Sequence, residues 1–145
     1  MAAGKILCPI DFSTPGKAAL ELATSLARQR GATLLIVHVE EPPIVYSEGE
    51  LYYGMIEPDR TALETMLREV VPTDPAVSYE HRLVTGTPAT AIVELAEAEA
   101  VEMIVLPTHG RTGLARLLMG SVAEAVVRKA KCPVLTYKAK PEAPA

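Results

Sequence analysis

The chain has 145 residues, a formal net charge of -4, no Trp and a single Phe, and 49% of its residues are apolar. That length suits one domain with one core, close-packed from Val, Ile, Leu and Ala. The acidic balance gives no global attraction for nucleic acid, and no apolar run reaches the roughly 20 residues of a membrane span, so neither partner is expected.

The opening "MAAGKILCPIDF" lacks the basic and long apolar regions of a signal peptide, so a cytoplasmic protein is expected. Cys8 and Cys132 lie in apolar stretches, form no C-x-x-C pair or Cys/His cluster, and read as small buried apolar residues.

In chain order, "KILCPI" (5–10) is an apolar run without polar alternation, which fits a strand covered on both faces. "STPGKAALELATSLARQRG" follows as a helix, with Ser13 or Thr14 as N-cap, Gly31 as stop, and Ala19, Leu22, Ala23 and Leu26 along one face. A second buried strand is "ATLLIVHV" (32–39). The connection 40–58 is long and carries three of the five tyrosines; it reads as a lid, a dimer contact or a mobile excursion. "PDRTALETMLREVV" sets Leu63, Met66, Leu67 and Val70 at helical spacing, and "AVSYEHRLVT" (76–85) is a partly alternating strand. "GTPATAIVELAEAEA" is a helix with Thr87 as cap and Pro88 at its first position. The remaining elements are a buried strand at 101–107, a helix "GSVAEAVVRKAK", and a last strand "CPVLTYK" (132–138) before a Pro/Ala-rich tail, 139–145, expected to be unpacked.

Strict alternation of strand and helix implies parallel strands joined by right-handed crossovers: an α/β sandwich, one domain over 1–138, with helices on both faces of the sheet. Ligands bind such sheets beyond the carboxyl ends of the strands, where the strand order reverses. Two loops on that edge stand out, "PIDFST" and "THGRTG".

The second loop leads into the helix that starts near Ser121. A helix start presents unpaired amides and partial positive charge, which attract anions. Gly110, Gly113 and Gly120 remove side chains where backbone would approach an anion closely or adopt positive φ, and Arg111 and Arg116 could supply charge. The bland alternative is a glycine-rich turn that binds nothing. His109 reads as a ligand contact or a loop cap, His38 as a satisfied half-buried residue and His81 as exposed. Asp11 divides evenly between bonding a ribose or base and capping the following helix. No phosphate-loop, dinucleotide-binding or nucleophile-elbow motif is present, and Glu124, near Ser121, reads as a capping residue and not as a general base.

These residues resemble the universal stress protein family. Gly110, the stretch Arg111 to Met119, and Gly120-Ser121 match the second half of the pattern G-x2-G-x9-G-[S/T] of its nucleotide-binding branch. "ILCPIDFS" and "LLIVHV" resemble its first two strands; the first glycine of the pattern is Pro107 here. The resemblance implies a three-layer sandwich around an open five-stranded parallel sheet of order 3-2-1-4-5. It implies ATP or another adenine nucleotide as ligand, with Mg²⁺ accompanying the phosphates. By position, Pro9, Ile10 and Asp11 would face the adenosine, and Val39 would meet adenine through its backbone. Leu106 and Pro107 would flank base and ribose, His109 and Gly110 would approach the sugar-phosphate, and Gly120, Ser121, Val122 and Ala123 would hold the phosphates. It also implies a homodimer through the last strand, Pro133 to Lys138. Three activities remain: an ATP-binding stress-response sensor, a dimeric interaction protein without nucleotide, and a slow ATPase.

Overall fold

A computed structural model describes residues 4–42, 60–109 and 119–138. They form β1 (Lys5–Pro9), α1 (Thr14–Arg30), β2 (Thr33–Glu40), α2 (Arg60–Glu69), β3 (Tyr79–Thr85), α3 (Pro88–Ala98), β4 (Met103–Pro107), α4 (Ser121–Lys129) and β5 (Val134–Tyr137). All strand pairs are parallel and the sheet order is β3-β2-β1-β4-β5, as expected. The tail 139–145 and most of the 40–58 connection lie outside the described residues.

The absence of alternation in the central strands has a direct cause: Ile6, Leu7 and Cys8 of β1 and Leu34 to Val37 of β2 are all fully buried, with successive side chains entering opposite faces. One face packs Ile6, Cys8, Leu34 and Ile36 against Leu20, Ala23 and Ala27 of α1 and Leu67 of α2. The other packs Leu7, Leu35, Val37 and Ile104 against Ile92 of α3 and Val126 of α4. Ser13 is the N-cap of α1, its hydroxyl accepting from the Gly16 amide (3.3 Å), and Gly31 ends the helix at φ 65, the left-handed geometry that glycine adopts without penalty.

Three expectations need correction. β3 starts at Tyr79 and not at 76, because Asp74 captures the preceding amides: its side chain accepts from Ala76 (2.9 Å) and its carbonyl from Val77 (3.1 Å). His81 is half-buried and not exposed, since Nε2 bonds the Val70 carbonyl (2.7 Å) between β3 and the end of α2. Cys132 is only partly buried, unlike Cys8. Burial pushes the Cys8 thiol up to about 12, which makes it a poor nucleophile, and burial also raises that of the more open Cys132.

Beneath α3, Lys5 donates to Glu99 (2.6 Å), Arg82 to Glu80 (2.8 Å), and Arg82 also approaches Glu99 (3.6 Å), tying β1, β3 and the end of α3 together. The Lys5 ammonium holds the Glu99 carboxyl below the usual carboxylate range. A depressed native pKa stabilises the fold above the unfolded carboxylate pKa, and that contribution vanishes as pH falls through the native value. Glu99→Gln should therefore lower the urea midpoint at pH 7 and converge with the wild type below about pH 4; an equal difference at both pH values would show that the charge contributes nothing.

Candidate functional site

Backbone direction explains why the sheet opens where it does. Glu102 donates to the Lys5 carbonyl and Ile10 to that of Val37, so odd residues of β1 face β4 and even ones face β2. Ile104 donates to Pro133 and Thr108 to Tyr137, so odd residues of β4 face β1. Pro9 and Pro107 thus turn toward each other's strand, and neither has an N–H to give. The β1–β4 ladder stops at Leu7↔Ile104, while β1–β2 continues to Pro9↔Val37. Proline is tolerated in these central strands because the side it faces is not paired.

Above that gap lies a cleft of about 560 Å³. Its floor is Pro9 at the end of β1 with Ile10 and Asp11 after it, Val39 of β2, and Leu106 and Pro107 of β4; Gly120, Ser121, Val122 and Ala123 bring the start of α4 to one side. Leu63 and Met66 of α2 and Ile92 of α3 complete the walls. His109 is not among the lining residues, and its Nδ1 lies 3.2 Å from the Thr108 hydroxyl. Gly110, Gly113, Arg111 and Arg116 lie outside the described residues.

Much of the backbone here is already engaged. Ile10 donates to Val37 (2.7 Å) and its carbonyl accepts from His38 Nδ1 (2.8 Å). Thr108 donates to Tyr137 (2.8 Å) and accepts from the Gly120 amide (2.6 Å). Val39 differs: Leu34 donates to Ser78 and Glu40 accepts from Gly86, so even residues of β2 face β3 and Val39 turns its amide and carbonyl to the β1 side. β1 has ended there, which directs one donor and one acceptor into the cleft.

Gly120 has a packing task besides lining the cleft. It is the N-cap of α4 with φ -72, so no left-handed geometry is needed. A Cβ on it would meet the Thr108 carbonyl at 3.3 Å and His109 Cα at 3.7 Å. The glycine lets the helix start close onto the end of β4, and its amide is committed to that contact. The amides of Ser121, Val122 and Ala123 follow, at positions without intrahelical acceptors, and no side chain caps the helix. Glu124 does not cap; it pairs with Arg128 one turn on (2.9 Å).

Asp11 fulfils the structural half of its divided expectation indirectly: it accepts from the Ser13 amide (3.0 Å) and hydroxyl, bracing the residue that caps α1, while lining the cleft. Sequence reasoning missed Phe12 and His38 as cleft residues. Phe12 has φ 63, and its ring packs on His38 with centroids 4.7 Å apart. The available signal was alternation, since residue 38 must point to the same face as Leu34 and Ile36.

The Universal stress protein family profile matches residues 3–138. The chain belongs to the universal stress protein family. Universal stress protein MJ0531 of Methanocaldococcus jannaschii is 34% identical over 140 residues, covering 92% of this chain and 81% of the relative. The solved structure of MJ0577 from the same organism is 31% identical with a TM-score of 0.75, covering 98% of this chain and 100% of that one. A universal stress protein solved in complex with cAMP is 26% identical with a TM-score of 0.70, covering 95% and 98%. No helix among the described residues is long and apolar enough to cross a membrane.

Gly120→Val should cost about 1–3 kcal/mol in urea unfolding, because its side chain overpacks against Thr108 and His109, with Gly120→Ala falling between it and the wild type. Equal stability of all three proteins would show that the contact with Thr108 gives way freely.

Proposed function

We propose that this family member binds an adenine nucleotide, ATP foremost, in the β1–β4 cleft and acts as a nucleotide-dependent sensor or binding module in the stress response. The observation that carries the reading is the pairing, within one cleft of about 560 Å³, of an uncapped helix start with the inward-turned backbone of Val39. Helix-start amides suit phosphate oxygens. A neighbouring donor and acceptor on Val39 match N1 and the exocyclic amine of adenine, whereas guanine presents the reverse polarity on that edge. The cAMP-bound relative supports the same ligand class. In this reading Pro9, Ile10, Asp11, Leu106 and Pro107 flank base and ribose, and Ser121, Val122 and Ala123 take the phosphates beside Gly120. Among the described residues no group of three His, Cys, Asp or Glu could hold a metal, so Mg²⁺ would arrive on phosphate oxygens, which it prefers.

Ser121→Pro tests the phosphate contacts without disturbing the helix. Proline suits the first helical position, the preceding residue is extended (ψ 167), and the change deletes one amide and one hydroxyl. Calorimetry should show ATP affinity reduced about tenfold or more, with adenosine unaffected; unchanged ATP affinity would refute phosphate binding at α4. Pro107, which withholds an N–H from the cleft, favours a second reading, a dimeric interaction protein without nucleotide. Wild-type protein that releases no nucleotide on denaturation and gives a flat ATP titration would establish it.

The same proposal pairs β5 with its copy in a second subunit. Leu135 is 38% exposed, and Val127 of α4 46%. Since Pro133 and Tyr137 carbonyls accept from β4, the even residues of β5 face outward. Thr136→Pro deletes an outward N–H only, and should convert a dimer into a folded monomer by light scattering; a dimer that persists would place the contact elsewhere.

A further inference from the structure

The described residues that line the cleft include one side chain whose charge can change toward positive. Among the described lining residues Asp11 and Glu41 are acidic, none is Lys or Arg, and His38 is the one that can gain positive charge. Its geometry suits that change. Nδ1 lies 2.8 Å from the Ile10 carbonyl, an acceptor only, so Nδ1 carries the hydrogen and Nε2 is the basic nitrogen. Among the described residues Nε2 has no partner. Protonation at Nε2 therefore adds charge without breaking the bond that holds the ring. That bond, with the ring packed on Phe12 at φ 63, also fixes the turn that carries Asp11 into the cleft.

We propose that His38 is a positioning residue and a pH-responsive charge of the nucleotide cleft: Nδ1–H holds the turn after β1, and proton uptake at Nε2 adds positive charge to the cleft and tightens binding of the anionic ligand. The proposal rests on the nucleotide reading above. Among the described residues, the charged groups on the elements around the ring include these. Asp11 lies on the turn; Glu40 pairs with Arg60 of α2 (3.3 Å), and Glu41 lines the cleft. Across β3 the register partner is Leu83, and α2 brings Leu63 and Met66 to the cleft. Lys17, in the first turn of α1, is exposed. Histidine is the side chain that ordinarily changes charge between about pH 5 and 8.

The experiment is calorimetric titration of ATP and of uncharged adenosine into wild type, His38→Asn and His38→Leu, at pH 6 and pH 8. Asparagine places an N–H near the Nδ1 position but cannot be protonated; leucine offers neither. Wild type should bind ATP about three- to tenfold more tightly at pH 6 than at pH 8, and adenosine equally at both. His38→Asn, which also loses the ring packed on Phe12, should lose the gain at pH 6 relative to its own affinity at pH 8; a pH ratio it shares with the wild type would come from titration of the ligand itself. His38→Leu should bind both ligands more weakly at both pH values. Nitrogen-15 spectra of the imidazole should show the Nδ1-protonated neutral ring at pH 8. A pH gain retained by His38→Asn, or a neutral ring protonated at Nε2, overturns this inference and leaves the nucleotide reading intact. Wild type that binds no ATP at either pH overturns both.

Discussion

Two prolines that face one another across the middle of the sheet set the terms for the rest of the molecule. A parallel ladder continues as long as each residue facing its neighbour can donate, and Pro9 and Pro107 cannot. Pairing between β1 and β4 therefore ends two residues before β1 does and three before β4 does, at the place where the chain reverses the order in which it adds strands. The crevice typical of such a reversal is here reinforced by sequence. Neighbouring backbone groups are occupied by the protein itself: Ile10 by Val37 and His38, Thr108 by Tyr137 and Gly120. Among the described residues, the backbone groups at this edge that the protein leaves unoccupied include the amide and carbonyl of Val39 and the first amides of α4.

The opposite end of the sheet carries a different chemistry. Lys5, Glu80, Arg82 and Glu99 form a four-membered ion-pair network at the amino end of the strands and the carboxyl end of α3. Such a network can hold strand ends in place and needs no apolar cover. The separation is useful: the cleft end can keep carboxylates, a left-handed Phe12 and an uncapped helix while cohesion comes from the double-sided core and this far-end network.

The sheet was readable because its signal is redundant. Unbroken apolar runs at β1, β2 and β4 mean burial on both faces, and the intervening helical spacings leave only parallel connections. Boundaries were less legible where a side chain competes with the ladder, as Asp74 does by taking amides that would otherwise have begun β3. In the site, the residues of the strand ends and of α4 lie together along one cleft, yet their individual tasks were hidden. A glycine before a helix reads as room for an anion; only the 3.3 Å approach to Thr108 reveals that the room is used by β4. His38 looked like a core histidine with its hydrogen bond met, which is correct for Nδ1 and silent about Nε2. A carbonyl partner that selects a tautomer is a tertiary fact, contributed by a residue 28 positions away.

The two thiols differ in a way that gives the chain an internal clock. Cys8 sits at 0% exposure in a central strand, walled by both neighbouring strands and by α1, so alkylation there has to wait for the sheet to come apart. Cys132, half-open after α4, reacts without that event. The ratio of the two labelling rates separates global opening from intrinsic reagent chemistry in a single sample, and a ligand that bridges β1 and β4 would slow the first while sparing the second.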